Sequence, residues 1–178
     1  MFSRFTQLTM FHSKLPQLAL LLITIIWGAT FVVVKYGLTL SSPVLFVALR
    51  FAAAALAVTL ISWKSLKGVT GFELYAGAAI GLVIALGYGT QTTGLQSISS
   101  SESAFLTALY VPLVPILLWL LFAKKPHIMT WLGAALAFLG LVFLTGNGLG
   151  AISLNYGQIL TLLGSIAIAL EIILISYF

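Results

Sequence analysis

Cysteine and aspartate are both missing from this 178-residue chain, and charge of either sign is scarce. Without cysteine there are no disulfides, no thiolate metal sites and no thiol nucleophile. Without aspartate there is no aspartyl dyad. Glu73, Glu102 and Glu171 are the only acids. Charged residues make up 6% of the chain against 61% hydrophobic, with a mean hydropathy of +1.19. Soluble domains carry about a quarter charged residues, so a water-solvated core is excluded and the solvent for most of this surface is lipid. Open strands would leave unpaired backbone groups in hydrocarbon, so the composition predicts an all-α, polytopic transmembrane helix bundle.

A spanning helix needs about 20 predominantly apolar residues. Six such stretches occur, at 16–37, 43–63, 72–93, 101–123, 127–146 and 156–178. Short breaks rich in Gly, Pro, Ser and Asn separate them, and none is long enough for a soluble domain. The net charge of +5 is spread between the apolar runs rather than gathered in a patch, which argues against nucleic acid as a partner. Arg4 and Lys14 precede the first span, Lys64 and Lys67 follow the second, and Lys124 and Lys125 follow the fourth. The loops on the other side carry no Lys or Arg, so the positive-inside rule puts the N-terminus in the cytoplasm. Trp63, Tyr75 and Trp131 fall at the same inner boundary, where an aromatic belt is expected. Residues 1–15 lack a cleavage site; Phe2, Phe5, Leu8 and Phe11 recur every three residues, the spacing of an amphipathic surface helix or a frayed tail.

The chain also carries an internal echo. Gln17 to Gly37 aligns without a gap on Gln158 to Phe178, matching Gln17 with Gln158, Leu21 with Leu162, Leu22 with Leu163, Ile25 with Ile166 and Tyr36 with Tyr177. Five spans separate the two starts, so the second copy enters the membrane from the opposite side, as in inverted-repeat transporters.

The stretches "WGATFVVVKYGL", "SSPVLFVALRFAAAALAVTL", "GYGTQTTGLQSISSSESAFLTALYVPLVPILLWLLFAKKP" and "WLGAALAFLGLVFLTG" resemble the EamA domain of the drug/metabolite transporter superfamily. The resemblance implies one complete repeat of five helices over 16–146, following a cytoplasmic segment at 1–15. Residues 147–178 would then be a loop and the first helix of a second, incomplete repeat, so the chain reads as the first half of an inverted-repeat transporter. It further implies secondary transport, as an exporter, of small metabolites, amino acids or drugs across the cytoplasmic (inner) membrane, with no cofactor or metal. A homodimer or a missing second repeat would complete the pathway; a truncated, non-transporting protein or an assembly subunit is the alternative.

Several residues stand out against the apolar background. Thr24, Gly28, Phe31 and Lys35 share one helical stripe with Trp27 at its edge, fitting either close helix packing or a cavity wall. Lys35 lies near the outer helix end, where it can snorkel to headgroups, and it matches a basic position that EamA domains often carry. Arg50 lies seven residues inside Pro43 on a face of small residues, Ala53, Ala54 and Ala57; a cation at that depth faces the bundle interior or water. Tyr88 and Gln91 are surface neighbours on the third span and can offer hydrogen bonds to a solute. Glu171 is the acid farthest from any span end, and a carboxyl group at that depth can carry a proton or sit neutral within the packing. Trp27, Lys35, Arg50, Tyr88, Gln91 and Glu171 are therefore the candidate substrate-binding residues.

Other features point to structure. Ser99 and Glu102 read as a capping box, and Glu73 sits in a first helical turn. Gly77, Gly81, Ala85 and Gly89 repeat every four residues and predict a close-packing ridge. Pro112 and Pro115 predict a kink in span four. Enzymatic signatures are missing: there is no H-E-x-x-H and no G-x-S-x-G, and neither histidine has a carboxylate nearby inside a span. "TGNGLG" lacks the Lys and Ser/Thr of a phosphate-binding loop, so the sequence predicts neither an enzyme nor an ATP-driven pump.

Overall fold

In a computed structural model, residues 3–66, 68–145 and 154–178 are described. They form α1 (Ser3–Gly37), α2 (Pro43–Ile61), α3 (Trp63–Leu66), α4 (Gly71–Leu95), α5 (Ser100–Ala108), α6 (Tyr110–Phe122), α7 (Ile128–Thr145) and α8 (Tyr156–Tyr177). Five stretches are long and apolar enough to cross a membrane: Lys14–Gly37, Pro43–Ile61, Gly71–Leu95, Ser100–Phe122 and Tyr156–Tyr177; Ile128–Gly140 adds a shorter apolar helix. These six segments stand where the hydropathy places them. The helix of α1 runs without a break through Pro16. The side chains of Phe2, Phe5, Leu8 and Phe11, and most of "TGNGLG", lie outside the described residues.

Helix starts follow their caps. Thr70 and Glu73 close a full capping box on α4: the Thr70 hydroxyl accepts from the Glu73 N–H at 3.3 Å and the Glu73 carboxylate accepts from the Thr70 N–H at 2.7 Å. Asn155 and Gln158 do the same for α8. Such a cap contributes about 1 kcal/mol. At α5 only half of the expected box forms. The Ser99 hydroxyl accepts from the Glu102 N–H at 3.2 Å, but the Glu102 carboxylate turns away to accept from the Gln158 side-chain amide. An acid read as a local cap thus ties α5 to α8.

The tightest seam lies between α4 and α8, which run antiparallel. A Cβ on Gly94 would stand 2.5 Å from the Gly157 carbonyl oxygen, and one on Gly164 would stand 2.9 Å from that of Gly87. Any side chain at these positions would push the helices apart. Gly77, Gly81 and Gly89, by contrast, have open space where a Cβ would go, and Ala85 is exposed. The expected ridge is therefore displaced: the glycines that pack are Gly87 and Gly94, one turn either side of Gln91. Leu95, Ile98, Leu106 and Ala169 make the buried core beside this seam, with Thr161 and Ser165 fully buried among them. Both hydroxyls return to helix carbonyls, Thr161 to Gly157 at 2.8 Å, and Ser165 sharing its hydrogen between Leu106 at 2.9 Å and Thr161 at 3.0 Å.

The fourth span is interrupted at a single residue, Leu109, whose backbone keeps helical dihedrals of φ −61° and ψ −15°, and Ser100–Phe122 still counts as one crossing. α5 stops at Ala108 and α6 resumes at Tyr110, with the Leu109 N–H bonding back to Leu106 in a tight turn. Pro112 has no N–H to offer the Ala108 carbonyl and its ring crowds that carbonyl, which sets the position of the break. Ser165 of α8 donates to the Leu106 carbonyl in the same turn. At the opposite, lysine-bearing end of the bundle, Phe178 meets Phe72 and Tyr75 edge-on and Tyr177 stacks on Phe122. The end of α8 is thereby fixed beside the start of α4 and the end of α6, and α8 crosses in the opposite sense to α1.

Candidate solute-binding cavity

The face that α1 turns inward is the stripe of Thr24, Gly28 and Phe31, with Trp27 at its edge and Val34 continuing it. This stripe forms one wall of a cavity of about 240 Å³. Arg50 enters from α2, Tyr88, Gln91 and Thr92 from α4, Thr107 and Tyr110 from either side of the α5–α6 break, and Ile168 from α8. Four of the six candidate residues, Trp27, Arg50, Tyr88 and Gln91, therefore line one space. The break contributes backbone as well: Ala108, whose carbonyl Pro112 cannot serve, is part of the lining. Irregular backbone at membrane depth is tolerated where it borders such a cavity.

Gln91, Thr107 and Arg50 have defined settings in the wall. The Gln91 amide donates to the Thr107 hydroxyl at 2.7 Å, and that hydroxyl donates to the Ser103 carbonyl at 2.7 Å. This chain holds the Gln91 side chain in one rotamer across the α4–α5 interface. The Arg50 guanidinium lies over two rings, with its central carbon 5.6 Å from the Phe51 centroid and 5.3 Å from that of Tyr88. The two rings meet edge to face at 5.4 Å. Cation–π contact of this kind is worth about 0.5–2 kcal/mol and grows as water is removed. It fixes the cation against α4 without neutralising it.

Lys35 and Glu171 fall outside this wall. Lys35 neither snorkels outward nor faces the cavity. Its ammonium donates to the carbonyls of Leu95, Gln96 and Ile98 at 2.6, 3.0 and 2.8 Å. The first two are carbonyls that α4 leaves unpaired at its C-terminus, where a cation also suits the dipole, and Ile98 lies in the turn that follows. The Ser100 hydroxyl reaches the Phe31 carbonyl at 3.4 Å nearby, so the outer end of α1 is tied to the α4–α5 turn twice. Glu171 sits three residues beyond Ile168 on α8, half-buried and within electrostatic reach of Tyr88.

Thr92, Thr107 and Tyr110 complete the wall, and reading the sequence did not single out the last two. Thr107 is one of many threonines in apolar helices, where the hydroxyl usually returns to its own helix. Only the approach of α4 makes it a partner for Gln91. Tyr110 carries no pattern of its own, and its place follows from the interruption at Leu109, three residues before Pro112. Among the described residues no group of three or more His, Asp or Glu side chains could hold a metal ion.

Residues 14–146 match the family described as the EamA-like transporter family. An uncharacterized transporter from Archaeoglobus fulgidus is 35% identical over 162 residues, covering 91% of this chain and 49% of that protein. The uncharacterized inner membrane transporter YedA of Escherichia coli K12 is 33% identical over 163 residues, covering 88% of this chain and 52% of YedA. The uncharacterized transporter YoaV of Bacillus subtilis is 27% identical over 134 residues, 74% of this chain and 46% of its own length. The chain thus spans about half the length of the curated relatives it matches. No solved structure matches it.

Proposed function

The chain belongs to the EamA-like transporter family, and we propose that it carries the solute-binding half of a secondary transporter that exports small organic metabolites. It is a multi-pass protein of the inner membrane. The observation that carries the transport reading is the cavity: an apolar bundle forms a half-open space into which Trp27, Arg50, Tyr88 and Gln91 converge from three helices. A bundle that served only as an anchor would have no use for a guanidinium and an ordered amide around an open volume. The break at Leu109 supplies a joint beside the same space, where the two halves of the fourth span can change their angle as access alternates between the two sides.

Glu171 is the acid placed to couple protons to this movement. It lies within electrostatic reach of Tyr88 of α4, whose ring stands beside Arg50. On this reading Glu171→Gln removes the pH dependence of flux; unchanged pH dependence in that variant discards the coupling role.

The pathway is completed either by a second copy or by a further repeat. Flux is measured in proteoliposomes holding the chain, with the mass of the extracted complex determined in parallel. Solute release at the mass of a dimer supports pairing of two copies. Release only after a second EamA repeat is supplied supports a two-repeat protein. No release in either case leaves a non-transporting assembly subunit and rejects the transport reading.

A further inference from the structure

We propose that the cavity takes a small organic anion, a single carboxylate carried on an apolar or aromatic body, and that Arg50 is the group that binds the carboxylate. The proposal deepens the transport reading and rests on it. Arg50 is the only charged residue in the cavity wall among the described residues. None of the acids, Glu73, Glu102 or Glu171, lines it, and Lys35 is spent on the end of α4. The charge carried by the described lining is therefore positive.

The posture of the guanidinium says which groups remain available. The cation lies against the Phe51 and Tyr88 rings, and its five N–H donors lie in the guanidinium plane and point outward from its edges. Among the described residues no hydrogen bond or ion pair uses them. A planar acceptor with two oxygens matches that fork, and in a site of low dielectric such a bidentate pair is about twice as strong as neutral hydrogen bonds. An unpaired cation at membrane depth is costly, and a bound carboxylate would offset that cost.

The rest of the wall suits an apolar body. Trp27, Phe31 and Tyr110 line the same space as Arg50. A cavity of roughly 150 Å³ is enough to admit benzene, so about 240 Å³ leaves room for one ring and a carboxymethyl group.

The test uses three probes of one shape: phenylacetate, its neutral isostere phenylacetamide, and the cation phenethylamine. Binding of each is measured by equilibrium dialysis against the full chain in lipid nanodiscs. Phenylacetate is expected to bind at least about tenfold more tightly than the amide or the amine, the scale of one charge-assisted contact. Arg50→Gln is expected to erase the preference of acid over amide, and Arg50→Lys, which keeps the charge but loses the fork, to reduce it. Helical circular dichroism and a monodisperse elution peak establish that each variant is folded, and the wild-type comparison stands if one is not. Equal binding of acid and amide, tighter binding of the amine, or an undiminished preference in Arg50→Gln overturns the proposal. Failure of all three probes to bind overturns it together with the cavity as a solute site. Selective acid binding without flux in proteoliposomes, even after a second EamA repeat is supplied, leaves Arg50 as an anion site and sinks the transport reading instead.

Discussion

The ammonium of Lys35 donates to the carbonyl oxygen of Leu95 at 2.6 Å, across 60 residues of sequence. With the bonds to Gln96 and Ile98 it forms the C-terminal cap of α4 out of a side chain from α1. The link fixes the outer end of the stripe that carries Trp27 and Gly28.

Replacing Lys35 with methionine keeps the length and apolar stem but leaves three carbonyls without their donor. Hydrogen bonds to charged groups contribute about 1.5–3 kcal/mol, so Lys35→Met should lower the midpoint of thermal unfolding in detergent clearly, and Lys35→Arg should lower it less. A lysine that only reached for headgroups would leave the midpoint unchanged in both.

Glycines on the two faces of α4 should behave in opposite ways. Gly94→Ala puts a methyl group against the Gly157 carbonyl, and overpacking of this kind costs about 1–3 kcal/mol. Gly77→Ala and Gly81→Ala meet open space and should be neutral or stabilising by up to about 1 kcal/mol, since alanine is the better helix former. Unfolding midpoints of the three variants, read side by side, decide which face packs.

Gln91 and Thr107 form a pair suited to a double-mutant cycle. Thr107→Val strands the buried Gln91 amide, at about 1–3 kcal/mol, whereas adding Gln91→Leu removes the stranded group and should recover part of the loss. Strictly additive losses would mean that the 2.7 Å contact carries no coupling.

Pro112→Ala restores an N–H for the Ala108 carbonyl and should let α5 and α6 join into one helix. The new amide is expected to exchange slowly with deuterium and the protein to melt later. If the break is the joint for alternating access, solute flux falls in the same variant; full flux with a continuous helix would detach transport from the break.

Much of this protein is set by composition alone. Scarce charge and long apolar runs leave lipid as the only solvent, and in lipid the helix is the only open-ended way to pair a backbone. The six segments and their sense across the membrane therefore follow from counting apolar residues and lysines. The stripe of Thr24, Gly28 and Phe31 was legible too, because helical periodicity fixes which residues share a face. What periodicity does not fix is which face meets which neighbour. Gly77, Gly81, Ala85 and Gly89 repeat as regularly as any packing ridge, yet α8 lies against Gly87 and Gly94, since only there do glycines on both helices coincide. Lys35 has a headgroup within reach and a helix end within reach, and three oriented carbonyls outbid water. Glu102 leaves its local cap for Gln158 for a similar reason. These choices belong to the tertiary structure because each needs a partner brought in from a distant helix, and no single-helix pattern contains it.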